Sequence, residues 1–218
     1  MGVTNTKGLK VLMSTGTVPG AVIPTAITSA APAVVTVADT AGMADGQVVK
    51  MTDTGFEELD GQLFVVGGLT GTDFNLVGSD TTNTTGTLAV TPLATYYDDT
   101  TDMEQLCLST IGVNPETSTP VSVATFCDTS AQVDGIEAGA GTIDLGFWLD
   151  KDDAGYAALM AAESDSAERV FKITFPGGNG DMVFEGTVSG LNFTDIPLDG
   201  SPALIANITL VSKYEHRF

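Results

Sequence analysis

The chain has 218 residues, 43% of them hydrophobic, and a formal net charge of −20 from 8 basic and 28 acidic side chains. That length suits one large β domain or two small ones, and the apolar fraction is sufficient for a packed core. So acidic a balance repels phosphate backbones and argues against a role in tracking nucleic acid, while no segment reaches the roughly 20 apolar residues of a membrane-spanning helix. Composition leaves two readings of the charge open: solubility, or an acidic wall that polyanions pass without sticking. Met1 to Lys7 is polar and lacks the apolar run of a secretory signal, and a myristoylation reading of Gly2 is set aside. Cys107 and Cys127 each fall in a strand-like run outside any CxxC pair, which favours buried free thiols over a disulfide.

In chain order, the first strand is expected from Leu9 to Ser14, closed by Thr15 and Gly16 and by a turn at Pro19 and Gly20. From Ile27 to about Tyr96 short strands follow one another with no helical period: Ala33 to Val37, Gln47 to Met51, Gln62 to Val66, Asp73 to Val77 and Gly86 to Val90. Five short strands in so little chain suggest a small closed or nearly closed barrel. The segment interrupts what reads as one continuing domain, which assigns residues 26–97 to an insertion and residues 1–25 with 98–218 to a discontinuous main domain.

The main domain resumes near Asp98. Met103 to Ser109 is expected as a strand, Ile111 to Pro120 as a long polar loop, Val121 to Cys127 as a strand and Asp128 to Gly139 as a second loop. Gly141 to Leu149 alternates as a strand with one buried face does. Asp150 to Ala162 is the one expected helix, with Asp150 as its N-cap and Asp152 and Asp153 complementing the helix dipole. Tyr156, Leu159 and Met160 share a face that should pack on the sheet, and Gly155 weakens the helix by about 1 kcal/mol relative to Ala. Strands follow from Arg169 to Phe175 and from Met182 to Leu191, joined by a glycine-rich hairpin at Pro176 to Gly180. In the first of these, Phe171, Ile173 and Phe175 face one way and Lys172 and Thr174 the other. Ala203 to Tyr214 forms a long last strand whose edge invites another chain.

Candidate chemistry is sparse. His216, the single histidine, stands two residues from the last position and suits an interface better than a general base. No GxSxG, P-loop or HExxH pattern is present. Asp150 to Asp153 lacks the glycine and distal glutamate of a calcium loop, and Gly177 to Gly180 joins strands instead of opening a helix, unlike a phosphate cradle. No catalytic residue, cofactor or metal is expected. Trp148 reads as core or interface.

The order and spacing of Thr119 to Asp128, Gly141 to Ala154, Phe171 to Gly177 and Phe184 to Gly190 resemble the siphophage major tail protein, or tail tube protein, family. Ile27 to Val37, Asp45 to Val49, Leu59 to Val66 and Asp73 to Val77 resemble a small β-barrel that recurs in phage tail proteins and is similar to a half-domain of ubiquitin-activating enzymes. The resemblance implies a mainly β protein: a tail-tube β-sandwich with one flanking α-helix, plus the inserted small β-barrel as an outward decoration.

It further implies a structural virion protein without enzymatic activity, made in the host cytoplasm, six copies forming a ring and rings stacking into a tube whose lumen conducts the phage genome. Implied partners are other copies of the chain, a tape-measure protein, tail terminator and tail tip proteins, and DNA passing without adhesion. Ring-to-ring contacts would come from the N-terminal arm (Met1, Gly2 and Val3) and from Ile111, Gly112, Val113, Asn114 and Pro115. Two other readings stand beside it: a carbohydrate-binding or adhesion module of a tail, with Tyr96, Tyr97 and Trp148 stacking on sugars, and the tube protein of a contractile injection system.

Overall fold

Two antiparallel sheets, each joined end to end by one bent strand, carry the architecture. The computed structural model describes residues 8–84, 86–114, 118–123, 132–138, 141–148, 150, 152–195, 203–210 and 215–217. Over them run β1 (Lys10–Ser14), β2 (Gly20–Val22), β3 (Pro24–Ile27), β4 (Ala33–Val37), β5 (Val48–Thr52), β6 (Leu63–Gly67), β7 (Asp73–Val77) and β8 (Leu93–Tyr97). Then follow β9 (Met103–Leu106), β10 (Leu108–Asn114), β11 (Ser118–Val123), β12 (Gln132–Ala138), β13 (Thr142–Trp148), α1 (Ala154–Asp165), β14 (Glu168–Thr174), β15 (Asp181–Asp195), β16 (Ala203–Leu210) and β17 (Glu215–Arg217).

The first sheet runs β2-β8-β5-β6-β7-β4-β3. Its end strands are two halves of one segment bent at Ile23, one half pairing with β8 and the other with β4, so the sheet closes into a small barrel. Val35, Val49, Met51, Phe64, Phe74 and Leu76 fill it, all buried. Alternation predicts this inward set correctly at β4 and β7, where buried and half-buried positions alternate.

Four of the five expected barrel strands are present. The fifth is not: Gly86 to Val90 forms no strand, and β8 closes the barrel instead. Ala89 N–H donates to Thr54 O at 2.9 Å, and Gly86 lies so close to the 55–56 turn that a Cβ there would come 2.6 Å from Gly55 O. This segment packs against a turn. Gly20, expected in a turn, opens β2; its Cβ position falls 2.2 Å from the Tyr96 ring, so this residue lets the ring cross the strand.

The second sheet runs β10-β13-β16-β15-β14-β1-β9, with β17 pairing β15. Its end strands β9 and β10 are again consecutive, separated by Cys107. The long β15 pairs with β14 through 181–187 and with β16 through 186–195. The sheet therefore folds over on itself as a sandwich, with β15 and the β9–β10 segment passing between layers. One core lies inside, built from Val11, Met13, Ile143, Leu145, Phe171 and Phe184 among others. The Phe171 and Phe184 rings stack at 5.0 Å.

Three sequence expectations change here. The run from Met103 to Ser109 breaks at Cys107, which is a free, exposed thiol instead of a buried one; Cys127 lies outside the described residues. The expected loop from Ile111 to Pro120 is strand up to Asn114 and again from Ser118, and Gln132–Ala138 is strand within the second expected loop. Pro120 stands opposite Ile136 in the two-stranded β11–β12 ladder. A proline is tolerated there because, among the described residues, the other edge of its strand carries no ladder to break, so turn-like composition conceals paired strands. Third, the last strand, expected from Ala203 to Tyr214, is not an edge over Ala203–Leu210, where it pairs with β13 on one side and β15 on the other; residues 211–214 lie outside the described residues.

The helix starts later than expected. Its N-cap is Asp153, in extended conformation, whose carboxylate accepts from Tyr156 N at 3.2 Å. Asp150 is not the cap: its Oδ1 accepts from Asp152 N at 3.0 Å, the local turn that competes with helix initiation. Gly155, Leu159 and Ala162 are the buried positions; Tyr156 is half-buried against Phe147, and Met160 is exposed. Gly155 approaches β9 so closely that a Cβ would come 2.7 Å from Gln105 O. Packing sets this residue, against its helix propensity. At the far end Glu163 Oε1 accepts from Leu191 N at 3.1 Å and ties the helix to β15.

Candidate assembly surfaces

Strands β10 and β13 pair from Leu108 opposite Phe147 to Asn114 opposite Thr142. Strands β11 and β12 pair in a ladder of their own, from Ser118 opposite Ala138 to Val123 opposite Gln132. Among the described residues this β11–β12 arm pairs only with itself. A lone two-stranded ladder is marginal in water, so it stands to gain from a covering surface.

Strand β10 is an open edge. Among the described residues β10 pairs with β13 alone, and no strand lies along its other side. Ser109, Thr110, Ile111, Gly112 and Asn114 are exposed, and no charged residue or proline interrupts Leu108–Asn114. Proteins commonly block such edges with charge, proline or a covering element. At β9 the helix supplies the cover; at β10 nothing described does.

Beside that edge lies a groove of about 490 Å³, lined by Gly8, Leu9, Val11, Leu106, Leu108 and Ile111 among others. Gly8 is the first described residue. Ile111, Gly112, Val113 and Asn114 all stand in β10, while Met1, Gly2, Val3 and Pro115 lie outside the described residues. His216 stands in β17 opposite Met182.

The barrel is joined to the sandwich by a third core: Leu12, Val170 and Val183 from the sandwich against Val48, Leu63 and Val65 from the barrel. Two ion pairs accompany it. Lys50 Nζ contacts Glu185 at 2.7 Å, and Lys172 Nζ contacts Asp99 at 2.7 Å while also donating to Gly46 O. The far face of β14 is thus buried beneath the barrel. At the junction, Asp98 Oδ1 accepts from Thr100 N at 2.7 Å and from Thr101 N at 3.2 Å. Bonds from the Thr100 hydroxyl and backbone hold the Asp98 carboxyl below the usual range. Burial, then the Glu185 and Asp102 charges, push the Tyr97 hydroxyl up.

Sequence reading did not single out Lys50, Lys172, Glu185 or Asp99. The signal was present: each lysine interrupts an apolar strand, in VVKMT and ERVFKIT, where a free ammonium would be costly to bury. Tyr96 and Tyr97, read as possible sugar platforms, pack against the barrel core and the junction core respectively.

A sandwich with one flanking helix and, among the described residues, an open strand edge at β10 is suited to assembly with other chains. The sequence profile of the phage tail tube protein family matches residues 54–216, and the chain belongs to that family of structural virion tail components. A search of curated proteins finds no match. Among solved structures, a chain of the virion of a native gene transfer agent particle is similar at TM-score 0.39 and 10% identity, over 51% of this chain and 85% of that one. Likeness at that level does not define a shared fold.

Proposed function

We propose that six copies of this chain form a ring and that the rings stack into a hollow tube whose lumen conducts the phage genome during ejection. The observation that carries this reading is the β10 edge: seven residues without charge, with Ser109, Thr110, Ile111, Gly112 and Asn114 exposed, and unpartnered among the described residues on the side away from β13. A neighbouring copy would complete the ladder, as closed oligomers do with complementary edges. The β11–β12 arm and the N-terminal segment from Met1 to Gly8 form the ring-to-ring contact. The net charge of −20 suits a lumen that DNA must cross without binding.

In this reading the chain is divided as its sequence suggests: a discontinuous sandwich interrupted by a barrel that projects outward, since an inward projection would obstruct the lumen. Membership of β2 in the barrel sheet favours a boundary near Gly20 over one at residue 26. A tape-measure protein within the lumen, with terminator and tip proteins at the ends, completes the assembly. The role is structural, without catalysis.

Replacing residues 115–140 by a short turn removes β11 and β12 and leaves the sandwich ladder intact. The shortened chain should remain folded, with a cooperative melt, and form no tubes. Tubes of normal length and width from this variant would overturn the assignment of the arm.

A further inference from the structure

A sandwich has two outer faces, and here they differ. On one side Leu12, Val170 and Val183 turn away from the sandwich core and are buried against the barrel. On the other side lie β10, β13 and β16. Ile143 and Leu145 of β13 belong to the core, so alternation turns Thr142, Asp144 and Gly146 to the outer face. In register with them stand Asn114, Gly112 and Thr110 of β10, all three exposed. Thr110 leans over Gly146, its hydroxyl filling the space a Cβ would take. Asn114 Nδ2 donates to Asp144 Oδ2 at 3.0 Å and to Thr142 Oγ1 at 3.3 Å. The sequences of β10, β13 and β16 contain a single charged residue, Asp144.

We propose that the outer face of β10 and β13 is the wall of the lumen, and that Asp144 is the charge on it that passing DNA meets. The inference rests on the tube reading. If β10 pairs with a neighbouring copy, the sheet that closes around the ring is the one containing β10 and β13. One side of that sheet is the sandwich core. The barrel lies beyond that core, against the other layer, and an inward barrel would obstruct the lumen. The remaining side, with Thr110, Asn114, Thr142 and Asp144, then faces the axis. Its chemistry suits that place. These strands carry no lysine or arginine to replace the counterions on phosphate. A carboxylate repeated once per copy lines the channel with one sign of charge and turns phosphate away. The hydrogen bond from Asn114 holds that carboxylate against the sheet.

The test uses the full chain with Cys107 and Cys127 replaced by serine, carrying Asp144→Cys or, separately, Thr110→Cys. In free subunits each thiol should react with a small maleimide and with one attached to a polymer too bulky to enter the tube. In assembled tubes the small reagent should still react, and the bulky one should slow at least tenfold. Equal rates for the bulky reagent in tubes and free subunits would put this face on the outside. Loss of both reactions would put it in a contact between copies. Either result overturns the inference while the tubes stand. A second readout is charge. Tubes of Asp144→Lys should retain duplex DNA oligomers at low salt and release them as salt rises, while unaltered tubes retain none. Retention equal in the two would contradict the role of Asp144. An unaltered chain that forms no tubes overturns the tube reading, and this inference with it.

Discussion

Lys172, at the middle of β14, sends its ammonium across the junction to Asp99 at 2.7 Å, and its side chain is only 5% exposed. A strand of the sandwich is thereby neutralised by the segment that leaves the barrel, and Gly46 O of the barrel accepts from the same nitrogen. Asp99→Ala leaves this ammonium buried without its counter-charge and should destabilise by about 3 kcal/mol, as breaking buried pairs does. The double variant Asp99→Ala with Lys172→Met should recover most of that loss, because both charges go together. Urea unfolding of the two variants checks this; a double variant no more stable than the single one would contradict it.

The close approach of α1 to β9 makes an unusual prediction for Gly155. Alanine ordinarily stabilises a helix by about 1 kcal/mol over glycine. Here its Cβ would meet Gln105 O at 2.7 Å, so Gly155→Ala should destabilise, by about 1–3 kcal/mol as overpacking does. A raised melting temperature would show that the helix moves aside freely.

At the start of the same helix, Asp153→Ala should cost about 1 kcal/mol through loss of the cap. Asp150→Ala should cost less, since Asp150 bonds only the turn before the helix. Thermal melts of the two variants side by side separate them, and the opposite order would restore Asp150 as the cap.

Asp98 sets an acid limit. Its folded carboxyl lies below the ordinary 3.8, so its stabilising contribution is fully present above that value and is lost as pH falls through the lower, folded one. Asp98→Asn should therefore be less stable at pH 7, by about 1 kcal/mol for a solvent-screened cap of this kind, and the difference should shrink as pH falls through the region below 3.8. Urea midpoints across that range give the answer; a gap that widens in acid would contradict the sign.

Much of the fold is legible in the sequence where one face of a strand is buried and the other is not. Ala33–Val37 and Asp73–Val77 alternate and sit where alternation puts them. Legibility fails where pairing, not burial, defines the strand: residues 111–114 and 118–120 contain Gly, Asn and Pro signals that read as loop, yet their partners in β13 and β12 hold them extended. It also fails at β2 and β3, a short bent segment with a proline whose structure comes from closing the barrel. Ile111 to Asn114 was expected in a loop and stands in the outer strand β10, whereas the last strand was expected as an edge and is interior over Ala203–Leu210.

The central claim is that the sandwich completes its sheet with strands of identical neighbours. Electron microscopy of the concentrated full chain, with phage tail-tip complexes added as nuclei, tests it most directly. The account predicts hollow filaments that show six subunits in end-on views. Particles that stay monomeric at every concentration, with and without those nuclei, would contradict it.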